Sequence, residues 1–476
     1  MVQKQSVKHF IMDVRVKFLG ASGTVTGSRF LLEIGEFLVL FDCGLFQGLK
    51  ELRLRNWDEF PVSAASIDAV IISHAHIDHT GYLPKLVKEG FKGPIFCTHP
   101  TADLIELLLL DSAKLQEEEA VYAFTKGYSK YANPVPLYTS EDAQQVFPLI
   151  KKYKFKERVK IHERVEIEFH GAGHLLGAAI TEVFIRGDKE NKKIVFSGDL
   201  GRNDDVMLHA PTPIEDADIL FIESTYGNKN NPTGDPASEL ERIVKETFLN
   251  RGVLVIPAFA VGRTQVLLYH LHKLMESDRI PDVPVYIDSP MATSATYLYY
   301  QHPDFHKVKF NQSEFARQLE TNMLVFVKSM KHSKKLNKIK TNAIIISSSG
   351  MMTGGRILHH LYNRLRNKQD TLLLAGYQAE GTRGRKLVEK SPTLRIFGEE
   401  VPVNCRVENM TALSSHADRE ELFSWMKHFK KKPKITFVVH GENPDLKNYA
   451  QAIRDRMEWN VIQPEYLESV SLFKGI

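Results

Sequence analysis

Ser73-His74-Ala75-His76-Ile77-Asp78-His79 is the stretch whose reading decides the fold. It sets three histidines and one aspartate within six residues. Ala69-Val70-Ile71-Ile72, directly before it, has the apolar, β-branched character of a buried strand. Thr80-Gly81-Tyr82-Leu83-Pro84, directly after it, predicts a turn running into a helix. The polar cluster therefore falls in a loop at a strand end. Imidazole nitrogen and carboxylate oxygen suit Zn²⁺ and similar borderline metals. In an extended loop His74 and His76 project to the same side and can share one ion, while Asp78 and His79 turn away towards a second. A surface loop that happens to be rich in histidine is the alternative, but HxHxDH at a strand end is far more specific than a lone HxxH.

Working outward, Val14 to Gly20 alternates like a strand, Ala21 to Ser28 is a small-residue turn, and Arg29–Ile34 and Phe37–Phe41 read as two more strands. Asp42 ends the second of these. A carboxylate there can hydrogen-bond a metal-ligating histidine and fix its tautomer, or it can simply be a turn aspartate; position alone does not choose. Beyond the cluster, Gly93–Thr98 reads as a strand and Pro100–Glu119 as a long helix. Val121 to Leu137 is aromatic and basic, which fits either a loop capping the core or a surface that stacks bases. The strand Val165–Phe169 runs into GAGHLLGA, whose glycines allow close backbone approach and whose His174 is a candidate third imidazole ligand; His162 and His170 read as ordinary residues. Lys193–Phe196 ends in SGDLG, where Asp199 could place one oxygen on each of two ions. Ile219–Ile222 ends in Glu223. Three successive strands thus finish on ligand-type residues, the pattern of a site along one sheet edge.

After Gly227 the pattern changes. A polar linker from Asn228 to Pro236 leads into alternating helices and strands, which predicts a parallel sheet with helices on its faces. SSSGMMTGGR, residues 347–356, joins a strand to a helix; backbone N–H groups there could hold a phosphate, or the glycines could only make a turn. The lysine-rich run 328–340 is either a solvated face or a track for a phosphate backbone. From Thr393 short strands return. SSHAD places His416 before a helix, and Ile435–Val439 ends in His440.

The chain has 476 residues, 43% hydrophobic and 25% charged, which predicts two or three compact units. No apolar run is long enough to span a bilayer, and no secretory leader is expected. Three cysteines without CxxC spacing point to a reduced, cytoplasmic setting. A net charge of +4 does not by itself announce nucleic-acid binding, so any basic surface must be local.

HAHIDH at 74–79, GAGHLLG around His174, SGDLG around Asp199, ESTYG around Glu223, SSHAD around His416 and VHGE around His440 together resemble the β-CASP branch of metallo-β-lactamase-fold nucleases. PAFAVGR (257–263), DSPM (288–291) and SSSGMMTGGR resemble its inserted domain. The likeness runs from about Val14 to about residue 470 and fits the compact members without a KH domain.

The resemblance implies an α/β fold: a metallo-β-lactamase αββα sandwich formed by residues 1–227 and 391–476, with a β-CASP domain inserted at 228–390. It implies two Zn²⁺ per chain, with Mn²⁺ as an alternative. His74, His76 and His174 would hold the first, Asp78, His79 and His440 the second, and Asp199 would bridge them. Asp42 would hold a ligating ring from behind. His416 would be the general acid, oriented by Glu223, and Asp78 is counted with them as catalytic. Ser349, Gly350, Arg356 and Ser414 are the candidate substrate contacts. The expected activity is hydrolysis of phosphodiester bonds in single-stranded RNA by a hydroxide generated at the two ions, leaving a 5′-phosphate and a 3′-hydroxyl, by endonucleolytic or 5′-exonucleolytic action in RNA processing or decay. A DNA nuclease of the same chemistry and a hydrolase of small esters, thioesters or lactams are the alternatives, and a decayed RNA-binding scaffold is a non-enzymatic one. No membrane partner is expected, and a homodimer is left open.

Overall fold

The computed structural model describes residues 12–126, 133–232, 234–308, 323–376, 378, 381–410 and 413–476. Two seven-stranded sheets face each other. In the first, Ser469–Phe473, Val14–Phe18, Phe30–Ile34, Phe37–Phe41, Ala69–Ile71, Ile95–Thr98 and Ile150–Tyr153 lie side by side in that order. In the second the order is Val461–Ile462, Ile435–Val439, Ile219–Glu223, Asn191–Phe196, Ala179–Arg186, Val165–Gly171 and Arg158–His162. The inward positions of both sheets form one core, because alternation along each strand sends every second apolar side chain to the same face. Its centre is aromatic. The rings of Phe41 and Phe196 stack, Phe196 and Phe221 stack at 4.2 Å, and Phe18 and Phe437 lie 5.0 Å apart. Each buried ring contributes roughly 1.5–3 kcal/mol from the area it removes from water.

The strands that matter for function run parallel near the middle of each sheet. Phe37–Phe41 pairs with Ala69–Ile71, and Asn191–Phe196 pairs with Ile219–Glu223. Ile219–Glu223 then pairs in parallel with Ile435–Val439, Glu223 opposite Val439. Their carboxyl ends all open on one edge of the sandwich.

Between Glu223 and Ile435 the chain builds a third sheet, of six strands in the order Leu324–Phe326, Val285–Ile287, Ala343–Ser347, Val253–Pro257, Thr371–Ala375 and Arg406–Met410. Every pairing in it is parallel. Apolar clusters cover both faces, which is why its central strands are buried at every residue. Asp235 and Ser289 cap the helices Pro236–Leu249 and Pro290–Gln301 by accepting first-turn N–H bonds.

Two expectations need correction. The inserted sheet does not end at residue 390: Arg406–Met410 pairs with Thr371–Ala375, so the chain returns to the sandwich only after Met410. The short strands from Thr393 are a separate hairpin, Thr393–Ile396 with Glu399–Pro402, that interrupts this crossover. The helix expected over Pro100–Glu119 spans His99–Lys126, so Tyr122 and Phe124 lie on a helix rather than a capping loop; Tyr128, Lys130 and Tyr131 lie outside the described residues. Among the described residues no helix is long and apolar enough to cross a membrane.

Candidate metal and acid centre

His74 and His76 leave the end of Ala69–Ile71, and Asp78 and His79 lie in the short helix Ile77–Thr80 that comes next. His174 comes from the loop after Val165–Gly171, Asp199 from the turn after Asn191–Phe196, and His440 from the end of Ile435–Val439. Their donor atoms gather in two sets. In one, His74 Nε2 and His76 Nδ1 are 3.0 Å apart, and His76 Nδ1 and His174 Nε2 are 3.2 Å apart. Asp199 Oδ2 lies 3.6 Å from His74 Nε2 and 3.7 Å from His174 Nε2. In the other, His79 Nε2 and His440 Nε2 are 3.1 Å apart, and Asp78 Oδ2 is 3.5 Å from His440 Nε2. Asp199 Oδ1 is 3.5 Å from His79 Nε2, so the two oxygens of one carboxylate face the two sets.

These spacings match the edges of a coordination shell: ligand atoms at 2.0–2.1 Å from a tetrahedral ion sit about 3.3 Å from one another. Asp199 Oδ1 is buried and has no hydrogen-bond partner. It faces His440 Nδ1 at 3.4 Å and His79 Nε2 at 3.5 Å, and a sealed carboxylate oxygen is costly unless positive charge answers it. Burial drives the imidazoles of His74 and His174 well below their usual range and His76 down to about 4. All three therefore present lone pairs rather than protons. Burial would raise Asp199, but the His440, His79 and His74 rings outweigh it and hold the carboxyl ionised. The residues present fit a pair of divalent ions.

The groups behind the donors fix their orientation. His79 Nδ1–H donates to Asp42 Oδ2 at 2.7 Å, and Asp42 also accepts from the Ser73 N–H at 2.8 Å and the Ser28 hydroxyl at 3.0 Å. His174 Nδ1–H donates to the Ser415 carbonyl at 3.1 Å, and His440 Nδ1 meets Thr225 Oγ1 at 3.1 Å. Each bond leaves the other ring nitrogen to face the cluster. Ser73, Thr225 and the Ser415 carbonyl were not singled out from sequence. All three lie within the quoted motifs, but nothing local tells that a neighbour holds a ring. Asp42 at φ 54° and His440 at φ 52° sit in the left-handed region, where a non-glycine residue is strained and where such strain gathers at functional sites. Gly173, at φ +70°, makes the turn before His174; a Cβ there would fall 2.5 Å from the His209 carbonyl oxygen.

Beside the first set stands His416. Its ring centre is 4.4 Å from that of His174, and its Nδ1–H donates to Glu223 Oε1 at 3.3 Å. Glu223 is buried and is held by the N–H of Leu200 at 2.6 Å and of Thr225 at 3.2 Å. Burial alone would lower the His416 pKa, but the charge and hydrogen bond of Glu223, with Asp199 and Asp78 behind them, raise it above the ordinary imidazole value. Asp418 locks the segment as the cap of helix Arg419–Met426, in a reciprocal pair with Glu421.

The expected substrate contacts divide. Ser414 is at the site: its hydroxyl accepts from the His416 N–H at 3.2 Å and pairs with Tyr226. Ser349 Oγ is engaged within its own loop, accepting from the Thr353 N–H at 3.0 Å, and Gly350 packs against Phe259. Arg356 is engaged inside the insertion. Its Nη1 donates to Asp288 Oδ1 at 2.8 Å and to the Val327 carbonyl at 2.9 Å. Asp288 also binds His360 and Ser333. The charge of Arg356, expected as a substrate contact, is neutralised by an aspartate 68 residues away in sequence.

A sandwich with two histidine and carboxylate sets at one edge is the architecture of a metallo-hydrolase. Three family models match in chain order: the metallo-beta-lactamase superfamily domain at residues 31–217, the Beta-Casp domain at 264–387, and the Zn-dependent metallo-hydrolase RNA specificity domain at 400–464. A protein of Thermus thermophilus named as a ribonuclease is 34% identical over 91% of this chain and 94% of its own length. An RNase J-like protein of Methanocaldococcus jannaschii is 32% identical over 92% and 95%, and the transcription termination factor FttA of Methanosarcina mazei is 31% identical over 96% and 72%. A crystal structure of a protein of unknown function from Enterococcus faecalis shares the fold at a TM-score of 0.54 and 15% identity, covering 96% of this chain and 100% of that one. The chain belongs to the β-CASP family of the metallo-β-lactamase superfamily.

Proposed function

We propose that this protein is a metal-dependent ribonuclease that hydrolyses phosphodiester bonds of single-stranded RNA, in RNA processing or decay. The carrying observation is the pair His416–Glu223 set against two convergent donor sets. A metal site alone fits any hydrolase of the superfamily; a protonated imidazole held beside it serves a poor leaving group such as the 3′-oxygen of a nucleotide. The names of the Thermus and Methanocaldococcus relatives support RNA as the substrate.

His74, His76 and His174 would hold one ion and Asp78, His79 and His440 the other, with Asp199 available to both. Two Zn²⁺ suit the nitrogen-rich donors, with Mn²⁺ as a substitute. When bound, such a pair supplies positive charge to the phosphoryl oxygens and a nucleophile from water at neutral pH. The protein does the rest. Asp42 keeps His79 in the tautomer whose Nε2 is a ligand. Glu223 keeps the proton of His416 Nδ1, so that Nε2 delivers the second proton to the leaving 3′-oxygen. The products carry a 5′-phosphate and a 3′-hydroxyl. Cys43, Cys97 and Cys405 are all free, which suits a reducing, cytoplasmic setting.

The test is a cleavage time course on 5′-labelled, unstructured RNA bearing a 5′-monophosphate, with Asp199→Ala as the blank. Internal fragments indicate an endonuclease, and immediate release of labelled mononucleotide a 5′-exonuclease. No cleavage above the blank by metal-loaded protein, with cleavage of single-stranded DNA instead, refutes the RNA reading.

A further inference from the structure

Arg263 is the first residue of helix Arg263–Glu276, entered from the end of strand Val253–Pro257. Three segments close around it. Gly262 leads into it at φ +82°, and a Cβ there would lie 3.2 Å from Leu175, the residue after His174. Gly376, at φ +124° after strand Thr371–Ala375, lies flat against the guanidinium; a Cβ there would be 3.5 Å from Nη2 and 3.6 Å from Nε. Tyr226 sits close enough to interact with it electrostatically, and the Tyr226 ring is 5.8 Å from that of His416. Tyr226 thus couples electrostatically to Arg263 and packs near the acid, at the carboxyl edge of the parallel sheet. Connections there diverge to either side of Val253–Pro257, which is where open α/β sheets bind ligands.

Its own chemistry is unfinished. The Nε is buried without a hydrogen-bond partner, and among the described residues no carboxylate forms an ion pair with the guanidinium. Asp205 acts on it only at a distance, with Oδ1 already accepting from the Met207 and Leu208 N–H groups at 2.8 Å. Burial presses its pKa down to about 10, the mark of a charge that lacks an answering anion. No acidic residue occupies the first turn of its helix, so the helix N-terminus adds to the positive potential. A rigid fork of donors matches phosphate oxygens, whereas Arg356 has spent its fork on Asp288.

We propose that Arg263 binds a phosphodiester of the substrate strand adjacent to the one being cut, and so registers the strand against His416. The assignment rests on the nuclease reading. The experiment compares a short single-stranded RNA with bis(4-nitrophenyl) phosphate, which offers one phosphodiester and no neighbour. Arg263→Met lowers kcat/KM on RNA by about 10- to 100-fold, the loss expected for charged hydrogen bonds to an anion, and leaves the small ester unchanged. In a His416→Ala background, which binds RNA without turning it over, the same substitution lowers the salt slope of log Kd by about 0.7, one single-strand phosphate contact. Arg263→Lys restores the slope but only part of the rate, because charge returns without the fork. Full RNA cleavage by Arg263→Met overturns the assignment, as does an equal loss on both substrates, which marks a structural role. Wild-type protein that hydrolyses the small ester but no RNA overturns the nuclease reading, and the assignment with it.

Discussion

Glu223→Gln changes one charge at the heart of the proposed mechanism and almost nothing of its shape. Glu223 Oε1 faces His416 Nδ1 at 3.3 Å. A full charge pair at that distance is worth about 5 kcal/mol at an effective dielectric of about 20. Glutamine keeps an acceptor oxygen, so the net loss is the difference between a charged and a neutral hydrogen bond, about 1–1.5 kcal/mol. The His416 pKa falls, because the carboxylate that raised it is gone. The sign comes from the role. An acid works only while protonated, so the rate falls as pH rises through the His416 pKa, which Glu223 raises. Without that carboxylate the alkaline limb moves to lower pH. On the alkaline side turnover drops about 10-fold, and below both pKa values much less. The assay is a pH–rate profile on saturating RNA with metal content measured in parallel. A uniform loss at every pH with an unmoved alkaline limb refutes the reasoning, because Glu223 would then act otherwise than on the proton of His416.

Asp42→Asn removes the carboxylate that fixes His79, and metal affinity falls about 10- to 100-fold in chelator competition while the fold persists. Gly173→Ala forces a Cβ to 2.5 Å from the His209 oxygen in a left-handed turn, so thermal denaturation shows a loss of more than about 1–2 kcal/mol and His174 loses its place as a ligand. Asp288→Ala strands Arg356, His360 and Ser333 around a buried gap, and denaturant melts show a loss of about 3–5 kcal/mol.

The histidine cluster was legible because chemistry and geometry coincide in one short stretch: a strand must end, and the residues just beyond it line a sheet edge. The same held for Asp199, three residues beyond an apolar run, and for Glu223 and His440, each one step beyond one. The features that were not legible depend on partners distant in sequence. Ile219–Glu223 lies beside Ile435–Val439, and no local pattern tells that strands separated by a whole sheet are neighbours. Arg356 is a candidate substrate contact until Asp288 is seen paired with it. Arg406–Met410 reads as part of the sandwich because a short, half-buried edge strand carries no mark of the sheet it joins. The length of His99–Lys126 was underestimated because its last turns hold exposed apolar residues, Val121, Tyr122 and Phe124, which break the amphipathic pattern.

Position and stability can be separated at the segment that carries the acid. Arg406–Met410 belongs to the insertion, while the Ala417 N–H already bonds the Leu200 carbonyl of the sandwich at 2.8 Å. His416 and the Ser415 carbonyl that holds His174 lie between those anchors, and Asp418 secures the second by capping the next helix and accepting from the Asn231 N–H at 2.8 Å. Asp418→Ala should therefore cost about 1–2 kcal/mol of stability, as a lost cap does, and far more in rate. Asp235→Ala is the matched control. It removes a cap of the same kind, two first-turn N–H bonds on helix Pro236–Leu249, where nothing touches the site. Equal stability losses with a much larger rate loss for Asp418→Ala place the effect in the position of His416 and His174. Equal rate losses would show that the cap serves only the stability of the fold, and that the acid finds its place without it.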